Sequence, residues 1–142
     1  MSKEQKEKTE KKAKETKKDK VAVILIRGFI GMTKQVKDTI FLLRLRKKHT
    51  CVVLEDTESS RGMIRKVKDY VTYGEIDDKT LKELVAKRGK ESSKKKGRTK
   101  PFFELAPPKK GFERKGIKKG YKDGGALGYR GDKINDLIKR ML

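Results

Sequence analysis

The stretch TCVVLEDTESSRGMIRKVKDYVTYGEI, Thr50 to Ile76, decides the fold. Thr50 to Glu55 reads as a strand, with Asp56-Thr57 as the turn that ends it. A helix follows. Met63, Ile64, Val67, Tyr70 and Val71 recur at i, i+1, i+4, i+7 and i+8, which gathers them on one apolar face. Arg61, Arg65 and Lys68 recur at i, i+4 and i+7 as a cationic stripe on another. Thr57 is the candidate N-cap, and Glu58 places a negative charge where the helix dipole favours one. Val71 to Ile76 then supplies a short further strand.

Upstream, Val21 to Ile26 is a near-continuous apolar run, the pattern of a strand covered on both faces or central in its sheet. Thr33 to Lys48 reads as a helix capped by Thr33, with Val36, Ile40 and Leu43 as its inner face. Arg44, Arg46, Lys47 and Lys48 crowd its end; the dipole accounts for one or two cations there, and four point to phosphate contact. Downstream, Asp77 or Asp78 caps a helix Lys79 to Arg88 carrying Leu81, Leu84 and Val85 and stopped by Gly89. Strand, helix, strand, helix, strand predicts an α/β (α+β) domain over residues 21–89, with helices packed on a small three-stranded sheet.

The flanks differ in kind. Residues 1–20 alternate Lys and Glu, either a basic arm that orders on nucleic acid or a solvated tail. Residues 90–100, rich in Lys and Ser, read as a basic linker or a run of chain laid on RNA. Residues 101–142 read as a Gly/Lys-rich extension. Phe102 to Ala106 is a brief extended piece halted by Pro107-Pro108. From Lys109 to Gly131 glycine recurs beside lysine and aromatics, a composition expected not to bury a core. Asp132 then caps a helix whose Ile134, Leu137, Ile138 and Met141 dock the end of the chain onto the domain. No repeat is visible.

The 142 residues suit one ordinary domain with appendages. Lys and Arg number 41 against 20 acidic residues, a net charge of +21. Such an excess self-repels and points to a polyanionic partner. The field is densest over residues 90–122, with thirteen basic and three acidic side chains. Gly62 gains meaning in that light. A glycine inside a helix costs about 1 kcal/mol against alanine; either an RNA backbone or a neighbouring strand approaches closely there, or the helix begins later and Gly62 lies in its first turn.

Catalytic chemistry is thin. Cys51 is the only cysteine, which excludes an internal disulfide and a cysteine-based zinc site; within an apolar strand it reads as a small buried hydrophobe. His49, the only histidine, has no ligand-spaced partner, and Glu55-Asp56 serves the turn and cap. The glycines match neither the phosphate-loop nor the dinucleotide pattern. No catalytic residue, metal, cofactor or small-molecule substrate is expected. The six apolar residues from Val21 are too few for a membrane span, so a soluble, cytoplasmic protein is expected. The tail glycines can bring bare backbone amides close to phosphate while adjacent lysines supply charge. Phe112, Tyr121 and Tyr129 lie among them, either stacking on bases or, the favoured reading, anchoring the loop.

Taken together, Arg27, Ile30-Gly31, Leu43-Arg44-Leu45-Arg46-Lys47, Glu55-Asp56-Thr57, Arg61-Gly62-Met63-Ile64 and Lys66-Val67 resemble the family of the thirtieth large-subunit ribosomal protein, whose eukaryotic relative is called L-seven. Leu105 with Pro107-Pro108, Gly111-Phe112, Gly124-Gly125 with Leu127-Gly128, and Asn135 to Met141 resemble the extension of its archaeal and eukaryotic branch. The segment between Arg88 and Phe102 is shorter than that branch usually carries, and Ala106 stands where a polar residue is common. The resemblance implies a split β-α-β sheet of three strands with helices on one face. It also implies a non-enzymatic structural protein of the large subunit that binds ribosomal RNA and can touch neighbouring ribosomal proteins. The cations expected to meet RNA are Arg27, Lys34, Arg44, Arg46, Lys47, Lys48, Arg61 and Arg65 from the domain, with Lys109, Lys110, Lys115, Lys118, Lys119 and Arg130 from the tail. Composition alone equally permits a free-standing RNA-annealing or DNA-compacting protein.

Overall fold

The computed structural model describes residues 20–142; the expectation for the basic arm lies outside them, apart from Lys20. Lys20 opens β1 (Lys20–Leu25), which explains the continuous apolar run. A strand turns alternate side chains to opposite faces. Val21, Val23 and Leu25 join one hydrophobic cluster, and Ala22 and Ile24 join another. β1 is central, antiparallel to β2 (Thr50–Glu55) on one side and to β3 (Val71–Glu75) on the other, with Val23 opposite both Val52 and Tyr73.

α1 (Lys34–Leu42) and α2 (Glu58–Val67) supply the first cluster, through Ile40 from α1 and Ile64 and Val67 from α2. Because β1 separates β2 from β3, the unit β2-α2-β3 is the split crossover that the resemblance implied. α2 begins at Glu58 and the Thr57 side chain accepts from the Ser60 amide, so Gly62 lies inside the helix. The helix ends at Val67; Tyr70 and Val71 belong to the turn and to β3, not to its apolar face.

The mixed α/β class stands, with more in it than the three strands and one helical face expected. β4 (Phe102–Glu104) pairs antiparallel with β2, and β5 (Gly128–Tyr129) pairs parallel with β3, giving the order β4-β2-β1-β3-β5. The second face is covered as well. α3 (Asp78–Arg88) contributes Leu84, and α4 (Ile134–Met141) contributes Ile134, Leu137, Ile138 and Met141, all 0 % exposed. Val85, which the sequence reading grouped with Leu81 and Leu84, is exposed. Asp132 does not cap α4 through its side chain but sits in a single 3-10 turn, Gly131–Lys133, that leads into it. That turn crosses β3 closely at Gly74, where a Cβ would collide with the Gly131 carbonyl oxygen.

Polar ties fix the later chain. Asn135 is buried; its Oδ1 accepts from the Asp77 amide at 2.9 Å, and its Nδ2 donates to the carbonyls of Asp132 and Glu75. The Lys109–Gly131 segment, expected not to bury a core, places Ala126 and Leu127 against Ile26, with Phe112 and Ile117 packed around them. Residues 90–100 fold back on themselves: the Lys100 amide donates to Lys90 and that of Ser92 to Arg98, with Glu91 bridged to Thr99.

Candidate nucleic-acid interface

The cations after α1 are not where a long helix would put them. α1 stops at Leu42, six residues short of the expected end. The Leu45 amide donates to the Ile40 carbonyl and the Arg44 amide to that of Phe41. This is the Schellman pattern, whose left-handed residue is usually glycine. Here it is Arg44, at φ 64°. Ile40 and Leu45, both fully buried, belong to one hydrophobic cluster, as that motif expects. With Leu45 pulled into the core, Arg44, Arg46, Lys47 and Lys48 stand exposed on the loop into β2. None of them lies in the last turn of α1, so helix-dipole compensation does not explain them.

His49 ends this loop, also left-handed at φ 65°. Its ring stacks on Phe112 at 6.0 Å, and burial, aided by Lys48, holds its pKa below the usual 6.5. Phe112 is therefore an anchor. Cys51 is wholly buried in β2, and burial pushes its thiol up to about 12, the behaviour of an inert packing residue.

The cationic stripe on α2 is partly neutralised. Arg61 donates to both carboxylate oxygens of Asp56, with Nη2 2.6 Å from Oδ2. That fork lowers the Asp56 pKa. Arg61 and Arg65 share a shallow depression of about 260 Å³ with Asp56 and Glu75. Between them Gly62 is exposed, and nothing lies within 4 Å of where its Cβ would be.

Arg130 is the clearest correction to the expected RNA contacts. It is 5 % exposed. Its Nε donates to Thr72 Oγ1 at 2.8 Å, its guanidinium forks onto both oxygens of Glu113, and Nη2 reaches the Ala126 carbonyl at 2.8 Å. It also lies 4.9 Å over the Tyr121 ring. This arginine holds the glycine–lysine segment onto β3 and has no free donor fork to offer RNA.

The remaining expected contacts, Lys34, Lys109, Lys110, Lys115, Lys118 and Lys119, are exposed. Lys34 opens α1, where no acidic side chain offsets the positive end of the helix dipole. Arg27 is half-buried, its guanidinium 5.3 Å over the Tyr70 ring. The fold brings Arg27 and Lys118 to one concavity together with Lys68 and Lys122. Lys122 was missed by sequence reasoning; its signal was the adjacent Tyr121. A non-ionic surface was missed too. Ile30 is 99 % exposed and Leu42 73 %, beside Phe41 stacked on Phe29.

The profile of the family described as "Ribosomal protein L30p/L7e" matches residues 21–71, β1 through the start of β3. The "Large ribosomal subunit protein uL30" of Nanoarchaeum equitans is 44 % identical, over 85 % of this chain and 97 % of its own length. The chain belongs to the ribosomal protein L30p/L7e family. The uL30 proteins of Methanococcus maripaludis and Methanopyrus kandleri are 42 % and 38 % identical, over 98 % and 100 % of their own lengths. The similarity to this archaeal branch covers far more than the 21–71 match.

Proposed function

We propose that this chain is a structural, non-catalytic component of the large ribosomal subunit, cytoplasmic and held in place by ribosomal RNA. The near full-length relatives named for that subunit support the assembly. The observation that carries the RNA contact is Arg44. A left-handed conformation costs an ordinary residue roughly 1 kcal/mol or more, and an arginine kept there, with no ion-pair partner among the described residues, has its use outside the chain. Gly62 supports the same reading from the opposite direction, since no internal contact needs the missing Cβ.

Cations on the α1–β2 loop, on α2 and on residues 109–119 would neutralise phosphates and release counterions, positioning the protein by backbone and shape. The exposed Ile30 and Leu42 would add a contact that salt does not screen. If about six phosphates are engaged, log affinity for ribosomal RNA falls with log salt at a slope of roughly −4 to −5. The deciding experiment is sedimentation of a tagged chain from cell extract. Migration with the large subunit, lost on RNase treatment, is expected. A particle-free distribution would instead indicate a free-standing RNA-annealing or DNA-compacting protein.

A further inference from the structure

We propose that the concavity between the end of β1, the α2–β3 turn and β5 receives one unpaired nucleotide of RNA, its base stacked on Tyr129 and its phosphate held by Arg27, Lys118 and Lys122. Such a site presupposes the RNA contact proposed above and gives it a chemical target. The cavity holds about 580 Å³ and opens to solvent, within the about 300–1,000 Å³ common for small-ligand sites.

Four tyrosine rings line it, and each already touches a neighbour. Arg27 lies over Tyr70, Arg130 and Lys133 lie over Tyr121, and Tyr73 leans on Tyr129 at 5.5 Å and 47°. Tyr129 is the exposed one of the four, at 48 %, while the other three are half-buried, so it offers the platform. Its ring is fixed in advance, because its hydroxyl donates to the Glu75 carboxylate, 2.7 and 2.9 Å from the two oxygens. A pre-oriented ring loses little freedom when a base stacks on it. The Arg27 guanidinium on Tyr70 adds a second planar cationic surface of the kind that unstacked bases use.

Charge favours a nucleotide over a neutral aromatic ligand. Arg27, Lys68, Lys118 and Lys122 outnumber the carboxylates of Asp69 and Asp123. Those two accept hydrogen bonds but repel phosphate, so they suit an exocyclic amine or a ribose hydroxyl. A paired base, stacked on both faces within a helix, offers no free face to this ring.

The test uses the full chain and two RNA hairpins with the same stem, one fully paired and one carrying a single bulged 2-aminopurine. Preference for the bulged hairpin by roughly 5- to 150-fold is expected, the span of one base–aromatic stack, together with quenched 2-aminopurine emission. Tyr129→Ala abolishes both, and Tyr129→Phe, which keeps the ring, retains the quenching. Should Tyr129→Ala unfold by circular dichroism, Lys118→Glu with Lys122→Glu, both at exposed positions, must reduce the preference instead. Equal, salt-sensitive binding of both hairpins with unchanged emission overturns the nucleotide site and leaves RNA binding standing. Failure to bind either hairpin overturns both.

Discussion

Arg44 and Arg130 look alike in the sequence, each an arginine in a cation-rich stretch, and the fold uses them in opposite ways. Arg130 is buried and meets four acceptor atoms from three separate segments. Arg44 is exposed at a backbone position that glycine would occupy with less strain. One cation builds the protein; the other is held out from it. The difference shows that charge density alone does not separate structural from contact arginines. What separates them is whether neighbouring chain supplies acceptors, and for Arg130 that depends on Thr72, 58 residues away.

The largest expected effect tests the Arg130 side of this contrast. Arg130→Ala leaves Thr72, Glu113 and Ala126 without their donor and is expected to cost about 3 kcal/mol or more in chemical denaturation. Arg130→Lys keeps the charge without the fork and recovers only part. A loss below about 1 kcal/mol would return Arg130 to the pool of surface cations.

Arg44→Gly should do the reverse, raising stability by about 1 kcal/mol through relief of the left-handed strain, while weakening ribosomal RNA binding in a filter assay. A variant that is both more stable and equally tight in binding would remove the reason for the arginine. Gly62→Ala sharpens the comparison. With open space at the Cβ it should stabilise α2 by up to about 1 kcal/mol and yet impair incorporation into large subunits, measured by competition with the wild-type chain. Unimpaired incorporation would mean that nothing approaches that face.

The smallest effect is one of pH. The folded His49 pKa is depressed, so the unfolded chain binds its proton more readily. The stabilising contribution is full above the unfolded value near 6.5 and is lost as pH falls from there through the lower folded value. Melting temperature should therefore decline between pH 7.5 and 5.5, and His49→Asn, which tolerates the positive φ, should flatten that slope. An unchanged slope in the variant would place the pH dependence elsewhere.

Legibility followed whether a signal was local. The continuous apolar run from Val21, the Thr57 cap and the α4 periodicity each lie within a few residues, and each gave its element. The end of α1 failed because its stop carries no glycine: Arg44 takes the left-handed turn, and only the burial of Leu45 against Ile40 fixes it. β4 was legible only as an extended piece and β5 not at all, because three and two residues carry too short a period to show a sheet position; that position comes from pairing with β2 and β3.

The sequence alone determined that the chain has an α/β core, an excess of cations and two sets of family residues. Tertiary structure decided which cations are free. A side chain's partner can lie anywhere along a folded chain, and neither periodicity nor composition carries information about that distance. Arg61 is forked by Asp56 and Arg130 by Glu113, whereas Arg44, Arg46, Lys47 and Lys48 stand on a turn held outward by one buried leucine.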